Sequence, residues 1–237
     1  GVVTPFALSG NGESVFIYKP AEGLDLEYLE SEDFGAAEPG VTFGRLYKPS
    51  TGTYNFVAMK SPTPGAANSL PKVGPIVISE IMYHPAGNSD SEYIELLNIS
   101  PSAVTLYDAA KGAAWAITNG IEFSFPTATP VVMQPGERII LTRSIAAFGS
   151  SFSVPPGTQV FQWTSGGLSN SGETVELGMP GELDALLVRQ FIRVDRVVFT
   201  DTAPWPVSAD GGGPALDRTN VYAYGNDHAN WTAQTAT

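Results

Sequence analysis

The sequence predicts an all-β protein built from antiparallel strands in a sandwich or barrel. Short runs of alternating apolar and polar residues are separated by turn signals about every 8–12 residues, as in such folds. The chain has 25 glycines and 19 prolines, which together are about 19% of its 237 residues. The usual combined share is about 12%. No alternation of strands with helices occurs, so a parallel sheet is not expected.

The alternating runs predict the individual strands. They cover residues 24–28, 92–96, 104–106, 121–125, 138–141 and 188–194. Residues 134–137 (QPGE) predict a turn, because proline fixes φ at one corner and glycine supplies the other. Only residues 144–152 predict a short helix, with Ile145 and Phe148 on one face.

Two blocks of sequence recur in the same order. Residues 8–15 (LSGNGESV) match residues 168–175 (LSNSGETV). Residues 54–58 (YNFVA) resemble residues 229–233 (ANWTA). Two common hairpin turns alike by chance are the alternative, but the shared order favours a true repeat.

The repeat predicts a division of the chain into two parts. Residues 1–70 are expected to be the C-terminal half of a preceding copy plus a linker, and residues 71–237 a complete copy. Residues 61–74 (SPTPGAANSLPKVG) are rich in proline, glycine, alanine and serine, as interdomain linkers are. Both ends of the chain suggest a fragment of a longer tandem array.

A partial sandwich leaves one face of a sheet uncovered. Residues 1–70 are therefore expected to bury that face, either against the rest of the chain or in a homodimer through residues 1–70.

Several motifs, taken together, resemble the lamin tail domain family, which has an immunoglobulin-like β-sandwich fold. The opening of the family resembles residues 76–83 (IVISEIMY) and 92–98 (EYIELLN), and its later motifs resemble residues 135–137, 168–173, 205–206 and 210–211. The resemblance covers about residues 76–233, and its back half recurs in residues 8–60. Residues 215–218 (ALDR) depart conservatively from the Ser-Leu-Glu-Arg strand that often ends the family.

The resemblance implies a fold and an accessory role rather than a reaction. It is nearest to bacterial members, which occur in large secreted or surface proteins. It therefore implies an extracellular or cell-surface location, although the sequence shows no signal peptide. The family carries no established catalytic residues and implies no cofactor.

Composition argues against several classes of protein. The net charge of −12 repels phosphate and disfavours nucleic-acid binding. With no cysteine and two histidines, the chain has no thiolate metal site and no three-histidine zinc site. A serine hydrolase is not expected, because no Gly-x-Ser-x-Gly elbow occurs. Membrane insertion is not expected either, because the chain lacks the long apolar run that a spanning helix needs.

Three glutamates, Glu80, Glu92 and Glu95, are predicted to lie on neighbouring strands. Paired carboxylates can carry acid–base chemistry across a cleft. The favoured alternative is that Glu80 and Glu95 face solvent or accept hydrogen bonds from a loop backbone. His84 with Glu92 is a possible transition-metal pair, but a histidine before a proline is more often a turn residue.

Acidic residues crowd the end of the chain among glycines. Asp201 and Asp210 are the candidate metal ligands, for Ca²⁺. No calcium-loop order of residues is present, and aspartate with glycine is also typical of ordinary turns. No metal or other cofactor is therefore assigned.

Aromatic residues also gather near the C-terminus. Trp205, Tyr222 and Tyr224 are the candidate ligand-binding residues, since planar rings stack on sugars or partner proteins. The alternative is that Trp205 and Trp231 plug an end of the sandwich. Arg189, Arg193 and Arg196 form a small basic stripe on one predicted strand, and Asp195 lies within it, which predicts a paired, exposed face.

The leading hypothesis is a non-catalytic β-sandwich module of a larger bacterial secreted or surface protein. Such a module would act as a spacer, an adhesion unit or a docking unit, with a protein or a surface glycan as partner. The alternative is a carbohydrate-binding module that uses exposed aromatic residues, with calcium as a possible support.

Overall fold

The computed structural model describes residues 7–20 and 26–235. It confirms the predicted all-β, immunoglobulin-like antiparallel sandwich, together with a preceding β unit. The chain divides into two compact units. The first unit comprises Gly1–Lys72 with Gly181–Ile192, and the second comprises Val73–Pro180 with Arg193–Thr237.

Strands are the main regular secondary structure of the described residues. In chain order they are β1 (Gly12–Pro20), β2 (Leu26–Gly35), β3 (Phe43–Lys48), β4 (Thr53–Ala58), β5 (Ile76–Met82), β6 (Tyr93–Asn98), β7 (Val104–Thr105), β8 (Tyr107–Asp108), β9 (Ala113–Ala114), β10 (Ala116–Asn119), β11 (Phe123–Ser124), β12 (Val132–Met133), β13 (Arg138–Thr142), β14 (Gln159–Gln162), β15 (Gly172–Leu183), β16 (Arg189–Thr200), β17 (Pro214–Arg218) and β18 (Trp231–Thr235). One α-helix, α1 (Ile145–Ser151), lies between β13 and β14. Short 3-10 turns occupy Ser89–Ser91, Val207–Ala209 and His228–Asn230.

Two sheets form the sandwich of the second unit. The larger has the order β14-β13-β6-β5-β17-β18, and the smaller has the order β11-β10-β15-β16. The hairpin of β15 and β16 is long, and its turn end, Gly181–Ile192, belongs to the first unit. Most pairs are antiparallel as predicted, but β14 runs parallel to β13. The α1 connection allows this exception, because it returns the chain to the same end of the sheet.

Apolar side chains from both sheets meet in one core. Strands β5 and β6 contribute Ile78 and Leu96, and β15 contributes Val175 and Leu177 from the opposite sheet. Each fully buried side chain of this size stabilises the fold by about 1.5–3 kcal/mol. The core is therefore formed jointly by strands from the first half of this unit along the chain (the front half) and strands from its second half (the back half).

A smaller cluster covers the outer face of the larger sheet. It comprises Met82, Tyr93, Ile140, Phe148 and Ala215. Helix α1 begins where the sequence predicts, because the Ser144 hydroxyl accepts a hydrogen bond from the Ala147 amide at 3.3 Å. Of the two apolar residues predicted on one face, Phe148 is buried and Ile145 is exposed.

The first unit contains two antiparallel hairpins, β1–β2 and β3–β4. The predicted strand at 24–28 falls partly outside the described residues, and its described part opens β2. The predicted linker 61–74 contains turns. Its Pro71 forms an isolated bridge with Met59, which lies just before the linker.

Candidate functional site

The three predicted aromatic candidates differ in exposure. Trp205 is buried and packs against Trp231, with ring centroids 6.0 Å apart. This is the arrangement expected if the two rings plug an end of the sandwich. Tyr222 is 71% exposed, whereas Tyr224 is half-buried and burial raises its pKa. A common exposed platform made by all three rings is therefore not formed.

The two predicted metal candidates lie near a buried tyrosine. Asp210 pairs with His84, Oδ1 to Nδ1, at 2.5 Å. Burial raises the pKa of Tyr83 to about 12, and the charges of Asp210 and Asp201 add to this rise. Across the described ranges, no group of three histidine, aspartate or glutamate residues is arranged to hold a metal ion. His84 lies with Asp210 and not with Glu92, so the predicted turn role of this histidine fits better.

Glu92 acts as an internal brace. Its side chain is buried, accepts a hydrogen bond from the Leu168 amide at 2.8 Å and pairs with Arg143 at 2.9 Å. Burial raises the pKa of Glu92. This carboxylate thus fixes the loop before β15 to the start of β6.

The other two predicted glutamates line a groove on the outer face of the larger sheet. Glu80 lies opposite Glu95 on one neighbouring strand and opposite Asp217 on the other. The Tyr93 hydroxyl donates to Glu80 at 2.6 Å, and Arg138 donates to Glu95 at 3.0 Å. Both glutamates thus accept from side chains of the sheet instead of a loop backbone, so the favoured expectation for them was wrong in this detail.

This carboxylate groove (Glu80, Glu95, Asp217 and Arg138) encloses about 470 Å³. Burial raises the pKa of Glu80 to about 7, and the Tyr93 hydrogen bond opposes the rise. Sequence reasoning did not place Asp217 beside these glutamates, although its alternation with the buried Leu216 puts it on this face of β17. The groove can hold and release a proton near neutral pH.

The predicted exposed charge stripe on β16 is only partly formed. Arg193 pairs with Glu176 at 2.7 Å on the surface, as expected. Asp195 instead is buried and pairs with Arg218 at 2.5 Å. The prediction that Asp195 belongs to the exposed face was therefore wrong, because Asp195 lies on the buried side of β16 together with Val197 and Phe199.

An apolar cavity opens on the first unit. We call it the open face; its apolar lining residues include Leu8, Val15, Ile17, Phe34, Phe43 and Phe56. The cavity has a volume of about 540 Å³. Ile17 is 54% exposed although it lies in the middle of β1. Apolar side chains at this exposure and in this number mark a binding surface more often than a neutral one.

The open face carries one charged cluster. Arg45 donates to Glu32 at 2.7 Å and to Glu30 at 2.6 Å. Both carboxylates share the lining with Val15 and Ile17, their cross-strand neighbours. One arginine thus pairs with two carboxylates, so this cluster carries a net negative charge.

The opposite side of β1 is also exposed. Phe16 and Tyr18 lie there with ring centroids 6.5 Å apart, and Tyr28 packs on Tyr18 at 5.9 Å. The sequence predicts an uncovered sheet face in residues 1–70, but alternation alone does not say which side of β1 has the cavity.

Among the described residues, no helix has both the length and the apolar character needed to cross a membrane.

Comparisons with known proteins identify the family of this chain. The lamin tail domain family model matches residues 70–191, which is more than half of the chain. None of the curated proteins compared matches the chain. The chain thus belongs to the lamin tail domain family.

Proposed function

We propose that this chain is a non-catalytic docking module of a larger bacterial secreted or surface protein. The open face of the first unit carries the proposal. It presents apolar residues around a cavity of about 540 Å³, and a cavity of this kind suits apolar side chains of a partner. Membership of the lamin tail domain family supports an accessory module in preference to an enzyme.

The hairpin edges support a polypeptide partner. Within the described residues, β1 pairs only with β2, and β3 only with β4. An extended segment adds its backbone hydrogen bonds to such an edge and places alternate side chains in the adjacent cavity. The partner is therefore a protein segment with alternating apolar residues.

A display experiment tests this function. The whole chain is immobilised and panned against a library of random peptides, and the enriched peptides are measured on two variants. Ile17→Asp places a charge in the open face, and Phe16→Asp places the same charge on the opposite side of β1, at similar exposure (54% and 55%).

We expect enriched peptides that bind the Phe16→Asp variant as the wild type and bind the Ile17→Asp variant at least about tenfold more weakly. Failure to enrich any peptide, or equal binding by both variants, would contradict a docking role for the open face.

Carbohydrate binding is the second candidate, and the exposure of Tyr222 is the observation that favours it. A glycan array with the wild type and a Tyr222→Ala variant tests it directly. Binding that is lost in the variant would support the alternative. If calcium supports such a site through Asp201 or Asp210, the melting temperature should fall when a chelator is added.

A further inference from the structure

The first unit repeats the geometry of the back half of the second unit, beginning at the turn before β1. Gly12 and Gly172 have φ values of 95° and 108°. Each glycine amide donates to the carbonyl of a serine earlier in the turn, Ser9 or Ser169, at 3.2 Å in both cases. A Cβ atom would come too close to the Phe34 carbonyl oxygen in the first turn, and to the Phe199 carbonyl oxygen in the second.

A similar arrangement of charge follows on the next strands of each unit. Arg45 lies opposite Phe56 in the β3–β4 hairpin, as Arg218 lies opposite Trp231 in the β17–β18 hairpin. Arg45 binds Glu30 at 2.6 Å, and Arg218 binds Asp195 at 2.5 Å.

The spacing of these pairs is also shared. The interval along the chain from Glu30 to Asp195 equals the interval from Phe34 to Phe199. Hairpin β1–β2 therefore corresponds to β15–β16, and hairpin β3–β4 to β17–β18.

The corresponding residues differ in burial. Val175, Leu177 and Phe199 are fully buried, and they pack against front residues of the second unit such as Ile78 and Leu96. Their counterparts in the first unit line the open face: Val15, Ile17 and Phe34. The open face is thus the inner face of a sandwich without the strands that cover it in the second unit.

The strand edges differ in the same way. In the second unit, β15 pairs with β10 as well as with β16, and β17 pairs with β5 as well as with β18. In the part of the chain that the structure describes, β1 and β3 lack the equivalents of β10 and β5. A segment equivalent to the strands before β15 in the second unit would cover the apolar face and pair with both strand edges.

We propose that the open face binds the front half of another lamin tail repeat, a segment equivalent to residues 75–142 of this chain. This segment adds strands to β1 and β3 and covers Val15, Ile17 and Phe34, which completes a second sandwich. The inference rests on the proposed docking function and names its partner.

Glu32 sets one requirement on that segment. Glu32 corresponds to Val197, because these two residues are separated by the same interval along the chain as Glu30 and Asp195. Val197 is fully buried in the second unit. Arg45 already serves Glu32 and Glu30 together. The bound segment therefore has to leave the pair of Arg45 with Glu32 intact, because a buried carboxylate needs a partner.

The test supplies a second front segment. A second copy of residues 75–142 is fused through a flexible linker to the start of the whole chain, and amide hydrogen exchange is followed in β1 and β2. We expect exchange there to slow by about tenfold or more relative to the unfused chain. In the control fusion, the added copy carries Asp at the positions of Ile78 and Ile94, and no slowing is expected.

Further variants separate the possible results. Ile17→Asp in the fusion should abolish the slowing, and Phe16→Asp should preserve it. Equal exchange in the two fusions, while selected peptides still bind the open face, overturns the named partner and leaves the docking function standing. If the unfused chain forms a dimer that protects β1 and β2, a second copy is the occupant and the inference is wrong. If neither peptides nor the fused segment bind, both proposals fall.

Discussion

The buried ion pair of Arg218 and Asp195 joins β17 to β16 within the second unit. The Arg218 side chain is 0% exposed and also donates to the carbonyls of Ile78 and Ala223, at 3.1 and 2.6 Å. Asp195 accepts the Ile78 amide at 2.9 Å. These additional hydrogen bonds offset the cost of taking two charges out of water.

Arg218→Met should lower the free energy of unfolding by about 3–5 kcal/mol, because it leaves Asp195 buried without its cation. Chemical denaturation measures the change. Arg193→Met is the matched control, since Arg193 makes an exposed pair with Glu176, and it should cost less than about 1 kcal/mol. Similar losses in the two variants would show that burial does not decide the strength of the pair.

Glu80 is expected to make the stability of this protein depend on pH. Its folded pKa is about 7, raised by burial from 4.5. Between these two values the folded state binds more protons than the unfolded state, so the free energy of unfolding falls as pH rises. The penalty is absent below about pH 4.5 and complete above about pH 7.

Glu80→Gln should remove this dependence, because the amide oxygen still accepts the Tyr93 hydroxyl. The variant should match the wild type near pH 4.5 and be about 1–3 kcal/mol more stable at pH 8, by denaturation at both values. Glu27→Gln, at an exposed salt bridge with Lys19, controls for the loss of one carboxylate. A Glu80→Gln variant that is less stable than the wild type at pH 8 would refute the argument.

The sequence predicts the positions of some individual side chains and not of others. The position of Glu80 and Glu95 on neighbouring strands was within reach, because residues 76–83 and 92–98 both resemble opening motifs of the family. Asp195 was not, since it lies between arginines in the sequence while its partner, Arg218, is 23 residues further along. The acidic groove depends on contacts of β5 and β6 with β17, which is distant in the chain, and local patterns do not encode them.

At the scale of elements, the turn before β15 depends on a glycine. Gly172 has a φ of 108°, and a Cβ atom there would lie 2.5 Å from the Phe199 carbonyl oxygen. Gly172→Ala should lower the free energy of unfolding by about 1–3 kcal/mol, because both the conformation and the close approach exclude a side chain.

Gly149→Ala provides the contrast for that measurement. Gly149 lies exposed in α1, and a methyl group on its Cα would meet nothing within 4 Å, so alanine should stabilise the helix by about 0.5–1 kcal/mol. Thermal unfolding of both variants checks the two signs. A Gly172→Ala variant as stable as the wild type would contradict the role given to this turn.

Alternation predicted the longer strands well. Residues 92–96, 138–141 and 188–194 all fall largely within β6, β13 and β16. The run at 121–125 contracts to β11 (Phe123–Ser124), because Glu122 is held by an isolated bridge to Ser165. The parallel pairing of β14 with β13 has no local sequence signal, since it follows from the path of the intervening chain.

At the scale of the molecule, an exposed apolar face has to coexist with solubility. The chain carries a net charge of −12, which keeps copies apart. Glu32 contributes locally to this repulsion between copies. It places a charge on the open face at the position that the proposed correspondence of the two units matches to the buried Val197. Inward-pointing charges prevent exposed sheets from pairing with each other.

Glu32→Val should therefore promote self-association, because it completes an apolar row beside Val15, its cross-strand neighbour. Burial of one valine at an interface is worth about 1.5–3 kcal/mol, so the dimer dissociation constant should fall at least about tenfold relative to the wild type. Light scattering over a concentration series measures it. Asp33→Val removes the same charge from the next position, on the other side of β2, and should leave the constant unchanged. If both variants associate equally, the loss of net charge explains the effect, and Glu32 has no special role in keeping the open face free.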